Sequence, residues 1–141
     1  MDLGSVGLGV LGGLLAWIAA NFFGSPIRNF FTLRTEIRHE MMRLENVSPP
    51  KPHWTYPQYS KEDLERMTRD SKQAQATLRS LGTRLKALGE TEPAVRAVRL
   101  LGFDPMGAAL GLIGLSNVFL EHGKDRFQFR EQVRKALKLP L

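Results

Sequence analysis

Cysteine is absent from this chain of 141 residues, histidine occurs three times, and no acidic or basic side chain lies between Leu3 and Ile27. The first absence removes disulfides, thiolate nucleophiles and sulfur-ligated zinc. The second leaves His39, His53 and His122 isolated, with no carboxylate pair at a ligand spacing, so no metal site is expected. His39-Glu40-Met41-Met42-Arg43 begins like the zinc motif H-E-x-x-H but ends on arginine. No G-x-S-x-G, P-loop or kinase element occurs, and neither a catalytic residue nor a cofactor is expected. Gly7 to Gly12 satisfies G-x-G-x-x-G, but six residues leave no room for the strand that this dinucleotide motif needs before it.

The absence of charge after Leu3 is the most informative one. Leu3 to Phe23 would reach about 30 Å as a helix, the thickness of a hydrocarbon core, which predicts a transmembrane anchor over 1–24. A cleaved signal peptide fits poorly, because only Asp2 precedes the run and no small-residue cleavage site follows it. Arg28, Arg34, Arg38 and Arg43 lie on the far flank, so the positive-inside rule places the N-terminus outside and the rest in the cytoplasm of a bacterial inner membrane. Ser5, Gly9, Gly13, Ala16, Ala20 and Gly24 recur at three- and four-residue steps and form a ridge of small side chains, the pattern of a helix–helix interface in lipid.

The remainder reads as a small all-α domain. Ser25-Pro26 predicts a fresh helix start, and Ile27, Phe30, Phe31, Leu33, Ile37, Met41 and Leu44 make the apolar face of an amphipathic juxtamembrane helix over 25–45. Four prolines among Trp54, Tyr56 and Tyr59 make 46–59 a stiff linker. Ser60 and Asp63 open a long helix that Gly89 is expected to end. Its heptad seam runs through Leu64, Met67, Ser71, Ala74, Leu78, Leu81, Leu85 and Leu88, fit for a dimer or for packing within the protomer. Thr91 and Pro93 begin a short helix closed by Gly102, and Asp104-Pro105 begins another. The uncharged stretch 106–120 is too short for an ordinary crossing; it is expected to be a second membrane-associated or oligomer-buried element within the 60–141 domain. A basic C-terminal helix over 125–138 follows it. At an offset of 96 residues, Asn21, Phe23, Arg28, Phe31, Arg34, Ile37, Arg38 and Met41 meet Asn117, Phe119, Lys124, Phe127, Arg130, Val133, Arg134 and Leu137.

The net charge of +6 is concentrated after the two apolar runs, four basic against two acidic residues over 28–44 and six against two from Lys124 onward. Arg28, Arg34, Arg38, Lys124, Arg126, Arg130 and Arg134 are therefore expected at lipid headgroups, with the bilayer as partner rather than nucleic acid. Arg34 and His39 have the R-x4-H spacing and in those six residues resemble the active motif of HEPN ribonucleases, which are all-helical. That resemblance implies a membrane-tethered ribonuclease or nucleic-acid-binding effector, Arg34 steadying phosphoryl charge and His39 moving a proton. The competing expectation is a non-enzymatic anchored protein that assembles through its helices, as an accessory or scaffold subunit of an inner-membrane complex or a small homo-oligomer.

Overall fold

The structure is a computed structural model, and it describes residues 3–45, 47, 59–91, 95–121 and 126–140. Every regular element among the described residues is helical. The order is α1 (Leu3–Ala19), a π-helical turn (Ala20–Gly24), α2 (Ser25–Glu45), α3 (Lys61–Thr91), α4 (Val95–Leu100), α5 (Pro105–Val118) and α6 (Phe127–Leu137). Of the expected 46–59 linker, only Val47 and Tyr59 fall within the described residues.

The bundle is built around α5. Asp104 caps it by accepting the Gly107 N–H at 2.9 Å, and Pro105 fills the first turn, where its missing N–H is harmless. Ala108, Ala109, Leu112 and Leu115 are buried. Two neighbours approach unusually closely because glycines remove side chains at the contacts. A Cβ on Gly82 of α3 would stand 2.8 Å from Ile113 Cγ1 and 3.1 Å from the Ala109 carbonyl oxygen. On the other side, a Cβ on Gly111 would stand 2.8 Å from Val133 Cγ2 of α6, and one on Gly114 would overlap the Phe129 ring. The stretch 106–120, expected in lipid or between subunits, is thus largely the centre of the protomer's own core. Its lack of charge follows from cover on two sides by protein.

Polar contacts fix the direction of each helix. Gln75 Nε2 of α3 donates to the Ser116 carbonyl at 2.9 Å, and Gly89 lies beside Met106, so α3 runs antiparallel to α5. The Asp104 N–H donates to the Ala136 carbonyl at 2.8 Å, which turns α6 back along α5. Arg130 of α6 pairs with Glu45 at 2.7 Å, while Arg34 of α2 reaches the other end of α6. The start of α2, the end of α3, α4, the start of α5 and the end of α6 therefore share one pole, and α1 departs from it.

Several expectations are corrected. Ser25-Pro26 does not restart a helix: Ala19 and Ser25 both keep α-helical backbone angles, the Ser25 N–H reaches back to Ala20 O, and the chain passes from α1 to α2 through the π turn. This turn divides the uncharged run, leaving α1 at 17 residues, and among the described residues no helix is long and apolar enough to cross a membrane. Among the described residues, the span expected over 1–24 is thus not found as one uninterrupted α-helix. The apolar face of α2 does not lie on headgroups, because Phe30, Leu33, Ile37, Met41 and Leu44 are in the core. Of the two readings of the α3 seam, packing within the protomer holds from Ser71 to Leu85, with Ser71, Ala74, Leu78, Leu81 and Leu85 buried, while Leu64 and Met67 are half-buried. Gly89 does not end α3, which continues to Thr91.

Candidate functional site

Two surfaces stand out, an apolar rod and a basic flank. The rod is α1. Each of its described side chains is exposed, including Val10 at 67%, Leu15 at 65% and Trp17 at 61%. The ridge residues Gly9, Gly13, Ala16, Ala20 and Gly24 are exposed as well, and a Cβ on Gly9, Gly13 or Gly24 would meet nothing within 4 Å. The side chain of Ser5 lies outside the described residues.

The basic residues grouped by sequence do not share one role. Arg28 and Arg38 are exposed on α2, and Lys124 falls outside the described residues. Arg34 is half-buried, its Nε donating to the Leu137 carbonyl and its Nη2 to the Lys138 carbonyl, both at 2.8 Å. These are terminal carbonyls of α6, where the helix leaves acceptors without intrahelical partners and its dipole is negative. Lys138 adopts a left-handed conformation there, φ 49°, and with Arg34 it flanks the Phe103 ring. Phe30, Phe31 and Phe103 meet edge-on at 5.3 to 5.8 Å, completing a node that joins α2, the α4–α5 corner and α6.

Arg126 is directed inward too. It donates to the Phe119 carbonyl and lies 4.6 Å over the Phe119 ring, with its pKa lowered from the ordinary arginine value by burial and then by nearby Arg130. Arg134 pairs with Glu131, and its buried Nε has no hydrogen-bond partner. Arg38, Arg130 and Arg134 line a groove of about 420 Å³ between α2 and α6, with Met41, Met42 and Phe127 among its apolar walls and Glu45 and Glu131 balancing part of the charge.

Arg34 and His39 are not brought together for phosphate chemistry. Five helical residues separate their side chains by about 140° around α2, Arg34 is engaged with α6, and His39 is exposed. Among the described residues, no group of three or more His, Asp or Glu side chains is placed to hold a metal.

The residues that sequence reading missed are Leu100 and Leu101, exposed by 89% and 56% at the α4–α5 corner. They follow Val95 and Val98 at a helical step and so resemble core positions. The available signal was Gly102, whose φ of +80° ends the helix and turns the chain away beneath them. No protein-family model, curated protein or solved structure matches the chain.

Proposed function

We propose that this is a non-enzymatic protein anchored in a membrane by α1 and the π turn, carrying its helical bundle at the surface and assembling there as an accessory or scaffold subunit or a small homo-oligomer. The observation that carries this reading is the bare apolar rod. Six large hydrophobic side chains on it are exposed, Val10, Leu11, Leu14, Leu15, Trp17 and Ile18. Covering them is worth about 1.5 to 3 kcal/mol each, of order 10 kcal/mol together, so water is not their resting environment. The uncharged sequence extends past the 17-residue α1 through the five-residue turn, about 30 Å of helical rise in all. Together the two make one inserted element. The arginines that follow favour a cytoplasmic bundle and an N-terminus on the other side. The open glycine ridge supports contact between neighbouring α1 helices.

Alkaline carbonate extraction of membranes tests the anchor: the chain is expected to stay in the pellet, and its release would refute the reading. Gly9→Ile with Gly13→Ile tests the assembly. The detergent-solubilised particle is expected to shrink while insertion persists; an unchanged mass would refute the ridge as a contact.

A further inference from the structure

At the pole from which α1 departs, Leu100 and Leu101 project side by side while Val95 and Val98 hold the inner side of α4 in the core. The corner is fixed from beneath. Gly102 N–H donates to the Arg99 carbonyl at 2.8 Å, and Lys138 Nζ donates to the Leu101 carbonyl at 2.9 Å. The half-exposed Phe31 ring stands 5.8 Å from Phe103, so the corner lies against the first turns of α2. Arg96 and Arg99 flank the leucines and are exposed, as is Arg28 on α2. Among the described residues, Asp104 at this corner is occupied in capping α5, and Glu90 at the end of α3 pairs with Lys86 at 3.7 Å.

We propose that this corner is a second membrane contact, in which Leu100 and Leu101 enter the interface of an anionic bilayer while Arg28, Arg96 and Arg99 meet lipid phosphates. The inference rests on the reading that α1 lies in lipid. Phe31 is seven residues beyond Gly24, about 10 Å along the helix, which brings the corner within reach of the headgroup layer. A tilt of about 20°, ordinary for membrane helices, lowers one side of the bundle onto that layer. Exposed leucines between arginines suit this environment, because the apolar tips gain burial and the guanidinium groups remain among phosphates. The two contacts together would set the orientation of the bundle on the surface.

The absence of cysteine permits single-site labelling. Leu100→Cys, Trp17→Cys and Gln73→Cys, the last exposed on the half of α3 away from the pole, would each carry an environment-sensitive fluorophore. The full chain is reconstituted in phosphatidylcholine–phosphatidylglycerol vesicles containing nitroxide-labelled lipid. The labels at positions 17 and 100 are expected to lose most of their fluorescence, and the label at 73 to keep it. Quenching at 17 without quenching at 100 overturns the second contact and leaves the anchor standing; quenching at neither site overturns both. A blue-shifted but unquenched label at 100 assigns the corner to a protein partner and also overturns the proposal. Arg96→Gln with Arg99→Gln should weaken docking of the corner about fivefold per arginine removed, leaving the label at 17 unchanged. Quenching at 100 that ignores both this variant and the omission of phosphatidylglycerol would refute the role of the arginines.

Discussion

Replacing Arg34 with methionine separates a structural arginine from a catalytic one. The substitution keeps most of the apolar stem and removes two hydrogen bonds of 2.8 Å to Leu137 and Lys138, together with the stacking 5.6 Å over Phe103. A hydrogen bond from a charged donor contributes about 1.5 kcal/mol or more when shielded. The Lys138 bond is exposed, so solvent screening reduces its share, and the freed carbonyls can turn to water. The net loss is about 2 kcal/mol, near 8 °C in melting temperature for a domain of this size. Arg34→Lys should recover less than half, since an ammonium does not span two carbonyls as a planar fork does. Arg38→Met, one turn along and exposed, should change stability by under about 0.5 kcal/mol. Urea unfolding followed by circular dichroism in a constant mild detergent measures all three. Equal midpoints for the parent and Arg34→Met, or an equal loss from Arg38→Met, would refute the assignment of Arg34 to the end of α6.

Gly114→Val places its side chain into the Phe129 ring and should cost about 1 to 3 kcal/mol from overpacking, despite valine's better helix propensity. A midpoint at or above that of the parent would show that α6 does not sit so close. Acidification should loosen the first turn of α3. The hydroxyl hydrogen bond from Ser60 holds the Asp63 carboxyl below its ordinary value; burial opposes it, and the Ser60 backbone and then Arg66 add smaller support. The folded pKa is thus the lower one, so the support is complete above about pH 4 and is lost as pH falls through the folded value. Faster amide exchange at Asp63 and Leu64 relative to mid-helix amides is expected in that acid range, and Asp63→Asn should abolish the pH dependence; exchange that stays parallel to the mid-helix would contradict it.

Local signals were legible in sequence where one residue type satisfies one backbone need. Asp104-Pro105 opens α5, Ser60 and Asp63 open α3, and Gly102 ends the segment after α4. Periodicity correctly marked the buried faces of α2 and α3 but could not name what covers them. The seam of α3 looks weak as a dimer because Ser71, Ala74 and Gly82 are small; these are the sizes that let a glycine- and alanine-rich α5 come close. Arg34 and Arg130 read as lipid-facing arginines in sequence because charge alone does not tell whether carbonyls or carboxylates from distant chain segments stand opposite. The 96-residue echo has the same limit. Ile37 and Val133 are both fully buried, yet α1 and α2 form one continuous path whereas α5 and α6 fold against each other. A shared local pattern therefore does not dictate a shared tertiary arrangement.

That difference bears on α1 directly. Its composition is close to that of α5, apolar and glycine-rich, but α5 has partners whose stripes fit it: the seam of α3 on one side, and Phe129, Val133 and Leu137 of α6 on the other. The inward face of α2 packs into the same core, and α4 contributes Val95 and Val98 to the buried interior. The buried stripes of α2, α3, α4 and α6 are already in use within the bundle. No amphipathic helix among the described residues is left to cover α1, and moving one there would expose the Leu78, Leu81 and Leu85 seam or the Leu112 and Leu115 face, at about 2 to 3 kcal/mol per side chain. Cover for α1 must come from elsewhere. Lipid accepts an apolar helix on all sides, whereas a second copy would meet chiefly the narrow small-residue ridge. The large side chains Val10, Leu11, Leu14, Leu15, Trp17 and Ile18 fall within about 160° on the face opposite that ridge, broader than one helix seam, so on the proposed reading lipid covers this face while helix–helix contact is confined to the glycines.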